Sequence, residues 1–285
     1  MKTLTFSPSA SIRGAACLLA MLVCAALATP ATAHYRPLAT EDLGILPQGR
    51  QQLEMGAEFR QNETFPYSGL TGDFWQAGII GVQVPVGPDA EVWLRGSLFE
   101  KLTVHRRTAA PGGGSVRLVN GAAKATGDFS LGTKLRLRRK EPGAPGIGFQ
   151  FSVELPNTPD ESGLGIDQTS VFGVLILEQS FGGVDLFANA GLAVMDMPTR
   201  LRAQRDKRVY GLGFAAGVGP GLRLLGEVAG LAGSDAPGLE DRCRARLALQ
   251  STGRDWSWDV GVMAGLERPD GDWGVSAGIT QWFGK

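Results

Sequence analysis

Cysteine is nearly missing from this chain. Of its three cysteines, Cys17 and Cys24 fall in the first 33 residues, and Cys243 stands alone in the rest. A single thiol makes no internal disulfide, which excludes a disulfide-stapled scaffold. Histidine is as scarce: His34 and His105 are the only two in 285 residues. Nucleophilic catalysis by Ser or Cys needs an imidazole beside the nucleophile. Nothing in the sequence places a serine near either histidine, so a protein that is not an enzyme is expected. His34 could offer copper an imidazole and a terminal amine, but no second histidine ligand accompanies it. No G-x-G-x-x-G, P-loop or C-x-x-C cluster occurs, and no metal or other cofactor is expected. Charge of one sign is also absent, with 28 basic against 28 acidic residues. Without a basic excess no nucleic-acid partner is expected. Beyond the first residues no apolar run approaches the ~20 residues of a helical membrane span.

What is present begins with a targeting pattern. Lys2 and Arg13 charge the start, Gly14 to Leu27 is apolar, and Ala31-Thr32-Ala33 offers a small-residue cleavage site. Residues 1–33 therefore read as a secretory signal peptide, and His34 as the mature N-terminus. Leu22-Val23-Cys24 lacks the small residue that a lipid-attachment box places before its cysteine, so acylation is not expected. With Lys2 and Arg13 removed, the mature chain carries a slight acidic excess. An exported chain with one cysteine must draw its stability from sheet closure or from burial in lipid.

The mature sequence is rich in glycine and alternates with period two rather than 3.6, which reads as all-β. Twelve segments can be laid out. In 51–61, Leu53, Met55, Ala57 and Phe59 share one face, and Gln52, Glu54, Glu58 and Arg60 the other. In 126–138, Phe129, Leu131, Thr133, Leu135 and Leu137 alternate with Asp128, Ser130, Gly132, Lys134, Arg136 and Arg138. The segments at 147–155, 210–218, 242–250, 256–266 and 273–283 repeat the pattern. Those at 74–84, 90–102, 169–179, 184–195 and 222–231 alternate poorly; in the second of these Trp93 shares a side with Arg95. The connectors alternate too. Short, turn-rich ones (85–89, 140–146, 180–183, 219–221, 251–255) are interleaved with longer ones (62–72, 103–125, 156–168, 196–207, 232–241), and only 268–272 breaks the rule.

Short turns on one side, long loops on the other and both termini on the short side are the layout of an outer-membrane barrel. Strands of about ten tilted residues cross the apolar layer. An open edge in hydrocarbon would cost several kcal/mol per unpaired backbone group, so the sheet must close. The expected fold is a transmembrane antiparallel β-barrel of about 12 strands over 51–285, with short periplasmic turns and longer extracellular loops. Trp75, Trp256, Trp273, Trp282 and Phe283 sit at strand ends, as interfacial girdles do.

On this reading Glu54, Glu58, Arg60, Asp128, Lys134, Arg136, Glu154, Glu227 and Arg246 line the lumen. If the turn after the fourth segment centres on Gly143, Lys134 lies opposite Ser152 and diagonal to Glu154. Such charges either select solutes in a narrow pore or pair with one another and fill it. Twelve strands lie between the filled eight-stranded barrel and the open sixteen-stranded one. Residues 34–50 read as a periplasmic N-terminal segment, punctuated by Pro and Gly. One reading leaves it a flexible leader; the other folds it into the periplasmic mouth, with Glu41 and Asp42 pairing to lumen arginines such as Arg138. Two outer loops are basic: Arg106, Arg107, Arg117 and Lys124 in one, and Arg200, Arg202, Arg205, Lys207 and Arg208 in the other. They suit solvent, or the phosphates of lipopolysaccharide. Outer-membrane lipids and lipopolysaccharide are thus the expected surroundings.

Several short motifs together resemble a known family. They are Arg36-Pro37-Leu38-Ala39-Thr40-Glu41-Asp42-Leu43-Gly44, Leu46-Pro47-Gln48-Gly49 leading into Leu53-Glu54-Met55-Gly56, and Gly127-Asp128-Phe129-Ser130-Leu131-Gly132-Thr133-Lys134. Val153-Glu154-Leu155-Pro156, Tyr210-Gly211-Leu212-Gly213 and Leu225-Gly226-Glu227-Val228 add to them. The chain resembles the outer-membrane transporters labelled "MetA-pathway of phenol degradation". The resemblance implies an outer-membrane barrel that passes small hydrophobic or aromatic solutes. Alternatives are a non-conducting structural or surface-interaction barrel and a barrel-type lipid-modifying enzyme. The end of the chain, Ile279-Thr280-Gln281-Trp282-Phe283, resembles the aromatic last strand that barrel-assembly machinery recognises, although Gly284 and Lys285 follow it.

Overall fold

The computed structural model describes residues 36–200, 202–233 and 236–284; the expected signal peptide and its cleavage site lie outside them. Thirteen strands follow one another: β1 (Arg50–Phe65), β2 (Leu70–Gly87), β3 (Ala90–Arg107), β4 (Ala122–Ala125), β5 (Phe129–Arg138), β6 (Gly146–Leu155), β7 (Ser170–Phe181), β8 (Val184–Asp196), β9 (Gln204–Gly219), β10 (Leu222–Gly233), β11 (Arg242–Thr252), β12 (Trp256–Gly265) and β13 (Trp273–Gly284). Each pairs antiparallel with its neighbours, β1 also pairs with β13, and β4 rides on the outer part of β3. Leaving β4 aside, the sheet is a closed ring of twelve strands. Among the described residues the helical structure is one 3-10 turn, Asp160–Ser162.

The barrel is inside-out relative to a soluble protein. Lys134 is 2% exposed while Leu212 is 68% exposed. Gln52, Glu54, Gln83, Glu91, Gln250, Asp259 and Thr280 are buried on the inner face. Leu131, Leu137, Leu192, Leu247, Val262 and Val275 stand outward, as strands in a bilayer require. Rings mark the outer rim of this belt, where Phe59 lies 4.8 Å from Trp75 and 5.7 Å from Trp273, centroid to centroid. Trp282 does not belong to the girdle. Neighbours in a strand face opposite ways, so with Phe283 outward Trp282 turns inward, donating from Nε1 to Gln52 Oε1 at 2.7 Å.

The segments that alternated poorly have identifiable causes. In β2 the inner face is carried by Phe74 and Gln76, then by Gly81 and Gln83. A bulge at Gly78 (φ 62°) inserts one residue against β1 and reverses the phase. β3 reverses at the facing level, where Leu98 and Phe99 are both exposed. Below that level Trp93 and Arg95 both point inward, with the guanidinium 4.1 Å from the ring centroid. In β7, β8 and β10 the inner face is partly apolar (Val174, Ile176, Phe187, Leu225), so apolar residues run on both sides.

Two local expectations are corrected. The long first loop, 62–72, shrinks to residues 66–69, because β1 and β2 continue outward as a paired ribbon in which Thr64 and Thr71 share a hydroxyl bond of 3.1 Å. Lys134 lies opposite Gln150, with Gly132 opposite Ser152 and Ser130 opposite Glu154. The hairpin closes on a Glu141–Ala144 bridge rather than centring on Gly143, and a bulge between Arg136 and Arg138 shifts the register further.

Candidate functional site

The N-terminal segment is not a periplasmic leader. Leu38, Thr40, Glu41, Leu43 and Leu46 are all buried, because residues 36–48 run through the lumen. A chain without secondary structure in such a place must find acceptors for its N–H groups, and the wall supplies them. Glu227 of β10 accepts from Ala39 N at 2.9 Å and Thr40 N at 2.7 Å. Asn189 of β8 accepts from Glu41 N at 2.7 Å and donates back to Glu41 O at 2.9 Å. Glu178 of β7 takes Leu43 N at 2.8 Å and Glu91 of β3 takes Leu46 N at 3.1 Å.

Side chains add to this hold. Leu38 packs with Phe187, Ala215 and Leu225. Leu43 lies over Gly146 and Gly148, where a Cβ would strike it. Arg36 lies flat on the paired glycines Gly56 and Gly278, which leave room for its guanidinium. Its Nη2 donates to Ala277 O at 3.0 Å and pairs with Asp259 at 3.3 Å. Glu41 pairs with Arg95 at 2.7 Å and Lys134 at 3.5 Å. Arg138, the partner expected for Glu41 and Asp42, stays at the periplasmic turn, donating to Pro145 O; the segment runs deeper than that rim.

Burial pushes the Glu41 carboxyl up, but Arg95 and Lys134 outweigh it and hold it below the ordinary carboxylate value. Asp42 has less help. Burial raises it to about 6, Lys134 at 3.7 Å opposes the rise, and the Glu178 carboxylate adds to it.

Towards the outside, the segment floors a cavity of about 320 Å³ lined by Arg36, Leu38, Glu58, Arg60, Arg95 and Arg246, among others. Arg246 links floor and wall, reaching Pro37 O at 3.2 Å, Glu227 at 3.3 Å and Glu58 at 3.4 Å. Arg60 pairs with Glu58 and, at 3.2 Å, with Glu63, and lies 4.6 Å from the Phe74 ring centroid. Glu63 also holds Arg242 at 2.8 Å and Arg244 at 2.6 Å, and Asp270 shares both arginines. The outer end is roofed by a small apolar core in which Leu70, Phe74, Leu102 and Ala123 meet Val116 and Leu164 of the loops.

The nine expected lumen residues fall into groups. Glu58, Arg60, Glu227 and Arg246 form one network around the cavity. Lys134 binds Glu41, Asp42 and, at 3.2 Å, Glu91. Glu54 accepts from Gln52 Nε2 at 2.6 Å. Glu154 shares the outer half of the lumen with Asp128 and Glu100. Asp128 also ties two loops together by accepting from Thr158 N at 2.7 Å. Arg136 lies at the periplasmic rim rather than deep in the lumen, bound to Asp89 at 2.7 Å and Pro88 O at 2.9 Å. Lys207, expected in an outer loop, turns inward from β9 onto Asp241 at 2.6 Å. Sequence reasoning missed Arg36, Glu91, Arg95, Glu178 and Asn189. For Glu91 and Arg95 the signal was there, on the face of Trp93.

Neither a protein-family model nor a curated protein matches the sequence. Solved structures do. The chain is similar to an outer-membrane channel from Pseudomonas putida F1, with 13% identity and a TM-score of 0.64 over 85% of this chain and 98% of that one. It is also similar to the KdgM porin, with 8% identity and a TM-score of 0.50 over 81% of this chain and 99% of that one. The fold is an outer-membrane β-barrel. Its apolar outer wall and closed sheet place the protein in the outer membrane, and identities this low speak of fold alone.

Proposed function

We propose that the barrel is a passive facilitator for small solutes, with residues 36–48 setting the width of its path. One observation carries this reading: a cavity of about 320 Å³ lies in the outer half of the lumen, floored by a segment held through side-chain contacts and backbone bonds to the wall. A segment without secondary structure, anchored one hydrogen bond at a time, can leave in steps. The cavity mixes charges with Leu38 and Ile79, which suits compact solutes having an apolar body and a polar group, such as small aromatic compounds. The family motifs noted above support that class, since they converge on this place. Arg36–Gly44 is the segment itself, while Gly211, Glu227 and Lys134 are among the residues it touches.

A non-conducting barrel is favoured by one feature, the apolar core that roofs the outer end. Enzymatic activity has less to support it: His105, in β3, pairs with Asp73 at 3.4 Å on an open part of the outer rim. Liposome swelling decides between facilitator and non-conductor. Full-length protein should admit phenol or benzoate faster than protein-free vesicles do, and equal rates would overturn the proposal. Lipid turnover by the same vesicles, lost on His105→Ala, would point to the enzyme instead.

A further inference from the structure

Beside the outer rings Phe59, Trp75 and Trp273, the row of lipid-facing residues continues into charge. Directly paired residues of antiparallel strands share a face. Phe59 pairs with Trp75, Trp75 with Lys101, and Lys101 with Lys124. Trp75 is 48% exposed on the lipid side, so both lysines also face outward, at the depth of the rings. Leu102 and Ala123, next to them in the chain, pair with each other on the fully buried inner face.

Two ammonium groups directly opposite each other repel. Elsewhere the barrel places acids beside its buried cations. Here, among the described residues, neither lysine has an ion-pair partner. Asp73, an acid on the same outward face, is engaged by His105 at 3.4 Å. Below the lysines, Leu98 (55% exposed) and Phe99 (43% exposed) offer an apolar surface. The patch is therefore amphipathic along the membrane normal, with grease towards the bilayer centre and two unneutralised cations at headgroup level.

We propose that Lys101 and Lys124 bind a phosphate of an outer-leaflet glycolipid of the lipid A class, whose acyl chains lie on Leu98 and Phe99. The phosphate removes the repulsion between the two ammonium groups, and the apolar surface below selects a lipid-borne phosphate over a free one. The site lies on the outside of the wall and is independent of any path through the lumen.

The full-length barrel in detergent micelles, titrated with bis-phosphorylated lipid A and assayed for bound phosphorus after gel filtration, tests this. At roughly a factor of five per lysine, Lys101→Gln with Lys124→Gln should weaken binding about twenty-five-fold. Heat-modifiable gel mobility verifies that the variant has folded. Lys101→Arg with Lys124→Arg should retain binding, and dephosphorylated lipid A should bind wild type as weakly as bis-phosphorylated lipid A binds the glutamine variant. Arg208→Gln, at an exposed position on β9, should change nothing. The proposal is overturned if the glutamine variant binds like wild type, if Arg208→Gln costs as much, or if inorganic phosphate displaces the lipid at equal concentration.

Discussion

Two arcs of the same inner wall treat the N-terminal segment differently. From β7 to β10 the wall is apolar and close, with Val174, Ile176, Phe187, Ala215 and Leu225 turned inward and three polar side chains (Glu178, Asn189, Glu227) placed where the segment's N–H groups need acceptors. From β11 through β13 to β3 it is charged, with Glu58, Arg60, Arg95, Arg244 and Arg246 facing a space the segment leaves unfilled. Where docked polypeptide covers the wall, greasy side chains are tolerated inside a membrane barrel. Where the segment leaves a cavity, the charges that line it are paired with one another. The segment is in effect a second layer for one arc and the floor of the cavity for the other.

The largest effect is expected where the two arcs meet. Glu227→Ala removes the acceptor for Ala39 N and Thr40 N and leaves Arg246 without one of its acids. Removing one partner of a buried ion pair costs about 3–5 kcal/mol. The temperature at which the heat-modifiable band converts should fall, and the chain before Arg50 should become open to protease. Leu38→Ala breaks the apolar arc alone. Leu-to-Ala changes in packed sites cost about 2–5 kcal/mol, and this one should loosen the segment while leaving the charged network intact. Gly278→Leu strikes the charged arc, since its Cβ would occupy the place of the Arg36 guanidinium. Overpacking of this kind costs about 1–3 kcal/mol, read as a smaller fall in the same transition.

The smallest effect is a pH dependence. Asp42, at about 6 when docked, lies above its ordinary value of 3.8. The docked segment therefore binds the extra proton, and docking strengthens as pH falls from about 7 towards 4. Glu41 is shifted the other way, so its contribution, complete above the ordinary value of 4.5, is lost as pH falls below it. Protease resistance of the segment should rise between about pH 7 and 5 and fall again at lower pH, and Asp42→Asn should flatten the upper limb.

The same contrast explains how far the sequence could be read. Period-two alternation identified β1, β5, β6, β9 and β11–β13, whose outer faces meet lipid and whose inner faces carry polar or very small residues. It failed in β7, β8 and β10, where both faces meet apolar atoms, and in β2 and β3, where Gly78 and the Leu98–Phe99 step reverse the phase. Glu58, Arg60 and Arg246 were visible on the polar faces of alternating segments, and Glu227 as a lone acid in an apolar run. The role of Asn189 and Glu178 was not, because it depends on a segment whose path no local pattern specifies. Leu38, Leu43 and Leu46 carried a faint signal, in that a solvated leader has no use for three leucines.

Deleting residues 37–47 and recording single-channel currents in planar bilayers tests the central claim most directly. If the segment fills part of the lumen and only the wall remains without it, unit conductance should rise several-fold while the barrel still shifts on gels between unboiled and boiled samples. An unchanged unit conductance from a folded barrel would contradict the account.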